Sequence, residues 1–309
     1  MKVVVLTGGV GGAKLVKGLC AVVPASDVTA IVNTGDDFRH LGLAISPDID
    51  TLLYTLSGKA NVAQGWGREG ETTGFMAALR ELGGEDWFLL GDHDLALHVL
   101  RSVRLAQGEG LAAITGDFAR SWGIAAAILP MTEDPVATML DTDEGRLEFQ
   151  RYFVERRCAP RVRAIHFAGA AGAAPTSGAL EAIAGADVLL IAPSNPFLSV
   201  DPILAVPGYR AALADAKAPV VAVSPIIGGQ AVKGPTAKLM HEMGLAISNE
   251  AIASHYAGIV EGLLIDHADD APSGVVTARA DILMRDDMDR ARVAAAAMSL
   301  ASHIRKRRA

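Results

Sequence analysis

Four aspartates lie within 15 residues of one another near the start of the chain, and a group of carboxylates can bind a metal or move a proton. They are Asp36, Asp37, Asp48 and Asp50. The first pair follows the apolar run 28–33, at the strand edge where open α/β sheets bind ligands. Oxygen ligands suit a magnesium ion that bridges phosphate oxygens. The group predicts catalytic carboxylates, although Asp48 alone also suits the N-cap of a helix beginning near Ile49.

A glycine-rich turn precedes these aspartates and predicts phosphate or nucleotide binding. Glycine lets the backbone approach a phosphate closely, and the following helix presents free N–H groups. The turn is not a P-loop, because Leu15 replaces the serine or threonine, and it departs from the dinucleotide fingerprint because the second strand ends in Asn33. A purely structural tight turn is the alternative. The candidate binding residues are Gly8, Gly9, Gly11, Gly12 and Lys14.

A third cluster, within residues 92–98, combines two aspartates with two histidines. Asp94 and His98 are four residues apart, and would therefore share one face of a helix. His93 and His98 are five apart, which is a poor spacing for a helical zinc pair. We predict that Asp92, His93, Asp94 and His98 orient substrate or relay protons. The alternative is helix capping and surface hydrogen bonding.

Two further loops follow apolar strands and complete the set of candidate sites. Ser194 and Asn195 stand between two prolines directly after the run 188–191. Lys233 lies in the stretch 224–235, after the next apolar run. Short polar side chains and a lysine at the carboxyl edge of a sheet could hold phosphate or base from the wall opposite the glycine turn.

The periodicity of the chain predicts an α/β fold: a Rossmann-like, doubly wound, mostly parallel sheet with a helical excursion after the second strand. We treat residues 1–309 as a single nucleotide-binding domain with a helical subdomain at about 60–123. Predicted strands cover 3–7, 28–33, 124–131, 147–153, 163–168, 188–192, 220–224, 259–265 and 275–283. Predicted helices cover 13–22, 72–82, 95–105, 111–122, 211–216, 236–243 and 286–300.

Composition narrows the class of protein. The formal charge of −7 argues against a nucleic-acid surface, and the basic tail Arg305–Arg308 is predicted to be solvated and frayed. Two cysteines are too few for a disulfide framework or a metal cluster. No apolar run is long enough to span a membrane, and no cleavable signal precedes the first strand, so we expect a cytoplasmic protein. The motifs of serine hydrolases, zinc proteases and thiol redox enzymes are absent from the sequence.

Taken in order, these segments resemble the 2-phospho-L-lactate transferase family of coenzyme F-420 biosynthesis. The resemblance spans the glycine turn, the stretches 33–37, 46–54, 86–98 and 192–196, and the loop 224–235. It implies that the deazaflavin alcohol FO receives a phosphorylated three-carbon acid from its guanosine diphosphate ester. GMP then leaves, magnesium is required, and the enzyme is a homodimer. The acid is lactyl, enolpyruvyl or glyceryl, and the resemblance leaves that choice open.

The resemblance also implies residue roles. Asp36 and Asp50 are the expected magnesium ligands within the four catalytic aspartates, and Thr51 is expected to contact substrate. The glycine turn with Ser194 and Asn195 would hold the guanosine diphosphate. His93 stands where the family has arginine, which suggests a role in donor choice. The competing prediction is a nucleotide-sugar-binding regulatory protein with the same glycine-rich opening and fold, and a nicotinamide oxidoreductase is a more distant one.

Overall fold

The computed structural model describes residues 1–231 and 234–308. Strands and helices alternate along most of this chain. The strands are β1 (Val3–Thr7), β2 (Val28–Val32), β3 (Phe38–His40), β4 (Leu43–Ile45), β5 (Ala127–Pro130), β6 (Ala137–Thr142), β7 (Gly145–Glu148), β8 (Val162–Ala168), β9 (Val188–Ile191), β10 (Val220–Val223), β11 (Ile226–Ile227), β12 (Gln230–Ala231), β13 (Gly262–Asp266) and β14 (Val276–Ala280). The helices are α1 (Gly9–Val22), α2 (Pro47–Ser57), α3 (Gly74–Glu81), α4 (Asp92–Ala106), α5 (Leu111–Ser121), α6 (Ala179–Ala184), α7 (Asp201–Ala205), α8 (Tyr209–Ala214), α9 (Thr236–Glu242), α10 (Asn249–His255) and α11 (Asp287–Arg308).

A seven-stranded sheet with order β14-β13-β10-β9-β1-β2-β5 forms the centre of the fold, and all its neighbouring strands are parallel. Every residue of β1, β9, β10 and β13 is buried. Continuous apolar runs of this kind are expected where helices cover both faces of a parallel sheet. Val4 and Leu6 face one core and Val3 and Val5 the other, as the two-residue period of a strand requires. The predicted Rossmann-like fold is confirmed.

The predicted helical excursion after β2 is present. Helices α2 to α5 follow β2 before the chain returns to the sheet as β5. Helix α2 begins with Pro47 at its first turn and ends at Gly58, whose φ of 74° favours glycine. The subdomain bounds at about 60–123 stay a prediction.

Two parts of the sequence prediction were wrong in detail. The predicted strand 147–153 ends at Glu148, and residues Arg151–Glu155 form a π-helical turn instead. Strand β8 does not join the central sheet but pairs antiparallel with β6, in a separate sheet of order β7-β6-β8. Strand β6 alternates buried and half-buried residues, as expected for a sheet that covers a core with one face only.

The basic tail Arg305–Arg308 is exposed, as predicted for a solvated segment, but it is helical and not frayed. Helix α11 continues to Arg308, whose Nε donates to Glu261 Oε2 over 2.8 Å. Arg305 donates to the carbonyl oxygen of Asp187 over 2.9 Å. The arginines therefore tie the last turn of the helix to the sheet instead of fraying into solvent. In the part of the chain that the structure describes, no helix is both long and apolar enough to cross a membrane.

Candidate active site

A cavity of about 830 Å³ lies at the carboxyl edge of the central sheet. Its wall includes the loops that follow β1, β2, β9, β10 and β14, together with α2 and the start of α4. This is the edge at which open parallel sheets bind ligands. The volume suits a cofactor-sized molecule, since such sites measure about 300–1,000 Å³. Of the predicted site residues, those that line the cavity are Gly8, Gly9, Gly11, Lys14, Asp36, Asp48, Asp50, Thr51, Asp94, His98, Ser194 and Asn195.

Asp48 connects the glycine turn to the acidic group. Its Oδ1 accepts a hydrogen bond from the Gly9 amide over 2.6 Å, and its Oδ2 accepts one from Asn33 Nδ2 over 3.0 Å. A side chain at position 8 would not fit, because its Cβ would lie 2.4 Å from Asp48 Oδ2. Helix α2 begins one residue earlier, at Pro47, so Asp48 is not its N-cap. The glycine turn and the carboxylates thus meet at Asp48.

Asn33 is a site residue that the sequence reasoning did not assign. The same Nδ2 that reaches Asp48 also lies 3.1 Å from Asp36 Oδ1, so one amide donates to two carboxylates. Its Oδ1 accepts from the Gly35 amide over 2.8 Å, which fixes the orientation of the side chain. The signal was present in the sequence, since an amide stands at the end of β2 where a dinucleotide-binding fold has an acid.

Burial and crowding perturb these carboxylates. Burial, followed by the charge of Asp48, raises the pKa of Asp36 well above its ordinary range. Burial raises the pKa of Asp48 to about 6, against the hydrogen bonds from Asn33 and Gly9. Burial likewise raises the pKa of Asp37, whose Oδ2 accepts from Ser46 Oγ over 2.6 Å. An added cation would favour the ionised forms of all three.

The donor set fits magnesium only in part. Among the described residues, no group of three or more histidine, cysteine, aspartate or glutamate side chains forms a metal site. Asp36 and Asp48 supply two carboxylates, and both accept a hydrogen bond from the side-chain amide of Asn33. Magnesium bound to nucleotides commonly takes one or two protein carboxylates and completes its shell with phosphate oxygens and water. The pair is therefore compatible with a magnesium ion that arrives with a nucleotide.

Asp50 has a different environment from the one the sequence suggested. Its two carboxylate oxygens accept from the two terminal nitrogens of Arg101, and the Asp50 Oδ2–Arg101 Nη1 distance is 3.1 Å. Arg101 is 1% exposed, and His98 Nδ1 lies 3.6 Å from the same carboxylate. Because this arginine occupies both oxygens, the geometry does not support Asp50 as a magnesium ligand. Arg101 was missed because an arginine in the middle of a helix is usually a surface residue.

The cluster at the start of α4 divides into two groups. Asp94 and His98 line the cavity, and Tyr54 donates its hydroxyl to Asp94. Burial raises the pKa of Asp94 and lowers that of His98. Asp92 instead accepts from the amides of Gly74 and Phe75, each over 3.0 Å, and so caps helix α3.

The predicted substrate contact of His93 is not supported by its position. The side chain is 53% exposed, and its Nδ1 lies 3.7 Å from Glu71 Oε2. His93 and Asp92 are not among the cavity-lining residues that the structure describes. A histidine in the first turn of α4 points away because Asp94 and His98 occupy the inner face of the helix.

The loop after β9 packs directly on the glycine turn. Ser194 Oγ donates to the carbonyl oxygen of Gly8 over 2.7 Å and accepts from its amide over 3.2 Å. Asn195 Oδ1 accepts from the amides of Phe197 and Leu198, at the start of a π-helical turn. Its Nδ2 is buried with no hydrogen-bond partner in the described part of the chain, so this donor is left without an acceptor. Lys14 Nζ donates to Met284 O over 2.7 Å at the cavity wall, and Lys233 lies outside the described residues.

The rest of the wall is largely apolar and was not predicted. Phe149 and Phe153 stack with ring centroids 5.3 Å apart, and Phe88 and Leu198 also line the cavity. These residues come from separate segments of the chain, so no local sequence pattern reveals them. A flat apolar wall beside a polar, acidic end suits a ligand that has an aromatic ring system and a hydroxylated or phosphorylated chain.

The sequence matches the family model for 2-phospho-L-lactate transferase CofD over residues 3–302. The chain belongs to this family. Similar proteins include a phosphoenolpyruvate transferase of Streptomyces coelicolor, 42% identical over 99% of this chain and 100% of the relative. A phosphoenolpyruvate transferase of Thermobifida fusca is 41% identical, again over 99% of this chain and 100% of the relative. A 2-phospho-L-lactate transferase of Methanosarcina mazei is 38% identical over 91% of this chain and 94% of its own length.

Solved structures support the fold of this CofD family member. The crystal structure of a upf0052 family protein from Bacillus halodurans superimposes with a TM-score of 0.63, covering 96% of this chain and 99% of the other. The two sequences are 20% identical, so the likeness concerns the fold alone.

Proposed function

We propose that this protein transfers a phosphorylated three-carbon acid from its guanosine diphosphate ester to the primary hydroxyl of the deazaflavin FO, releasing GMP, in coenzyme F-420 biosynthesis. Family membership over residues 3–302 supports transfer of such a group. The observation that carries the proposal is the position of Asp48. This carboxylate accepts hydrogen bonds from the glycine turn and from the side-chain amide of Asn33, and the same amide also donates to Asp36. A nucleotide phosphate at the turn would therefore lie beside the carboxylates.

For the donor we propose the enolpyruvyl ester. The support is that relatives 41–42% identical over nearly the whole chain carry the name phosphoenolpyruvate transferase, whereas the relative named 2-phospho-L-lactate transferase is 38% identical over less of it. Lactyl and glyceryl esters are the competing donors, and they are compared in the same assay.

The reaction is a substitution at phosphorus. The ribityl hydroxyl oxygen of FO forms a bond to the phosphorus that bears the acid, and the bond from that phosphorus to the oxygen of GMP breaks. Asp36 and Asp48 line the cavity, and one of them takes the hydroxyl proton. The same two carboxylates would hold magnesium, which supplies neutralisation of charge on the phosphate oxygens. Little covalent work is left to the chain, so its main contribution is to position the two substrates.

The apolar wall would bind the deazaflavin ring. Phe149, Phe153 and Leu198 offer flat or aliphatic surface, and burial of apolar area stabilises a complex by about 25 cal/mol per Å². Tyr54 and Asp94, which are hydrogen-bonded to each other on the same wall, could contact polar groups of the ring or of the ribityl chain.

The direct test is turnover. The protein is incubated with FO, magnesium and each of the three guanosine diphosphate esters, and the deazaflavin product and GMP are measured by liquid chromatography with mass spectrometry. We expect equal amounts of GMP and of the deazaflavin phosphodiester, and no product when a chelator removes magnesium. Release of GMP without a deazaflavin product, or no reaction with any ester, would contradict the proposal.

We also propose that the enzyme is a homodimer and works in the cytoplasm. The support for a dimer is an exposed apolar face on α4, where Val99, Leu100 and Val103 are 44%, 53% and 49% exposed. Residues at this spacing share one helix face, and exposed apolar patches commonly bind another protein. Light scattering of the wild type and Leu100→Glu tests this proposal, since the substitution should convert dimer to monomer. That the protein binds no nucleic acid or membrane stays a prediction.

A further inference from the structure

A second, smaller cavity adjoins the main one and is lined by basic residues. Its volume is about 180 Å³, and Val10, Thr51 and Trp66 are among the residues that line both cavities. Glu69 is its one acidic lining residue in the described part of the chain. We call this cavity the basic annex, and its positively charged lining residues are Lys14, Lys17, Arg285 and Arg290.

Three of these positive side chains are held in place by carboxylates that do not line the annex. Lys17 Nζ lies 3.1 Å from Asp287 Oδ1, and Arg290 pairs with the same aspartate. Asp287 has 67% of its side chain exposed, so this counter-charge lies toward solvent. Arg285 is similarly held by Asp281 and Asp289, over 2.8 and 2.7 Å. These three cations are thus preorganised without being covered on the annex side.

Arg290 also keeps an unused donor. The residue is 8% exposed, and its Nε is buried with no hydrogen-bond partner among the residues described. A buried guanidinium nitrogen without a partner is costly unless an acceptor reaches it. The position of Arg290 is fixed by close helix contact, because a Cβ at Gly18 of α1 would lie 2.1 Å from the Arg290 carbonyl oxygen. Close packing of α1 on α11 therefore fixes this side of the annex, and α2 with the segment after it forms the other side.

Size decides what the annex can hold. Its volume of about 180 Å³ is below the range of about 300–1,000 Å³ that is typical of sites for drug-sized ligands. A carboxylate or phosphate on a short carbon chain fits this space, whereas a nucleoside or a tricyclic ring does not. Thr51, which lines the annex, follows Asp48 by three residues on α2, a rise of about 4.5 Å. This is about the length of a three-carbon acid.

We propose that the basic annex binds the carboxylate of the three-carbon acid carried by the donor ester. The inference rests on the proposed function and deepens it, because it assigns the acid end of the donor to Lys17 and Arg290, which were not predicted as site residues. With the phosphorus beside Asp48, the acid extends past Thr51 and its carboxylate meets Lys17 and Arg290. The annex thereby distinguishes the ester from guanosine diphosphate itself, which has no such carboxylate.

The test is equilibrium binding without FO, so that no turnover occurs. Dissociation constants of the enolpyruvyl ester of guanosine diphosphate and of guanosine diphosphate are measured by calorimetry for wild type, Lys17→Gln and Arg290→Gln. Lys217→Gln is the control, because this exposed lysine lines neither cavity and precedes β10, at the edge of the sheet opposite the main cavity. We expect Lys17→Gln to weaken the ester about tenfold, as for loss of a charge-assisted hydrogen bond, and to leave guanosine diphosphate unchanged.

Three results would overturn the assignment. The first is that Lys17→Gln weakens binding of both ligands equally, which would place nucleotide phosphates in the annex. The others are that it weakens neither ligand, or that Lys217→Gln has the same effect. A melting curve of each variant without ligand separates loss of folding from loss of binding. If Arg290→Gln does not fold, Lys17→Gln decides the test, because Lys17 is at a partly exposed position. The proposed function fails separately, if wild type binds the ester but forms no product when FO is added.

Discussion

Arg101 of α4 and Asp50 of α2 form a buried, two-point ion pair at the main cavity, whose wall includes Asp50. Both residues are at least nine-tenths buried, and the Arg101 Nη1 also lies 3.3 Å from the carbonyl oxygen of Ala44. Although burial opposes its charge, Asp50 keeps the pKa of Arg101 above the ordinary value. The pair joins α4 to α2, the helix that also carries Asp48, so it positions the acidic end of the site.

Removing Arg101 should destabilise the fold strongly. Arg101→Met leaves Asp50 as a buried charge without a partner, and we expect a loss of about 3–5 kcal/mol in the free energy of unfolding by urea. The control is Arg104→Met, because Arg104 pairs with Glu109 and Asp117 at the surface, where ion pairs contribute little to stability. Its loss should be much smaller than that of Arg101→Met. Replacing both partners, as Asp50→Leu/Arg101→Met, should restore part of the stability. Equal losses in the two arginine variants would show that the ion pair is not important.

Asp48 and Asp50 should respond differently to a loss of charge. We expect Asp48→Asn to lower turnover by about 10²-fold or more and to raise the magnesium concentration needed for half-maximal rate, because a phosphate-facing ligand is lost. Asp50→Asn should lower stability but leave the magnesium requirement unchanged. Steady-state rates across a magnesium titration measure both effects. A shifted magnesium requirement in Asp50→Asn alone would identify Asp50 as the magnesium ligand after all.

The contribution of Asp48 to the stability of the metal-free protein should fall as pH rises from about 4 to about 6. The folded pKa of Asp48, about 6, lies above the ordinary value of 3.8, so the folded protein keeps a proton that the unfolded chain has released. This contribution is complete below the unfolded pKa and is lost as pH rises through the folded pKa. Between the two pKa values the free energy of unfolding falls by about 1.4 kcal/mol for each step of one in pH. The free energy of unfolding is measured with a chelator present at about pH 5 and about pH 7.5, on either side of the folded pKa of Asp48. The difference between the two values gives the slope of stability against pH for wild type and for Asp48→Asn. An identical slope in the variant would assign the effect to Asp36 or Asp37.

Nucleotide preference separates the transferase from a regulatory protein of the same fold. Guanosine diphosphate or GMP should raise the melting temperature more than UDP-N-acetylglucosamine or NAD does, because only a ligand that binds the native state stabilises it. The glycine turn, Ser194 and Asn195 line the cavity in which we propose that the nucleotide binds. Stabilisation by the sugar nucleotide alone would support the regulatory alternative.

The exposed position of His93 leads us to expect no role in donor choice. His93→Arg should leave the ratio of products from lactyl, enolpyruvyl and glyceryl esters unchanged in a competition assay, since the side chain is 53% exposed beside Glu71. Lys17→Gln is the matched comparison, and it should lower the rate with all three esters. A changed product ratio in His93→Arg would mean that residues 92–93 approach the donor when it binds.

Much of this protein was predictable from its sequence. The fully buried runs at β1, β9 and β10 specify a parallel sheet, because only strands covered on both faces lack polar alternation. The glycine turn and the four aspartates belong to the carboxyl edge of that sheet, and the family was correctly recognised from their order. Periodicity could not identify the antiparallel pairing of β6 with β8, which depends on contacts between distant segments.

What the sequence determined by itself was the set of local features: which segments form the central sheet, where glycines permit close approach, and which family the chain belongs to. Tertiary structure alone decided the partners of each charge. Asp50 lies two residues after Asp48, yet it pairs with Arg101, 51 residues away, while Asp48 binds the glycine turn. The basic annex likewise combines Lys17 of α1 with Arg290 of α11. Two side chains that are close together in a helix can point in different directions and meet different surroundings. Those surroundings depend on which distant elements pack against each side of the helix.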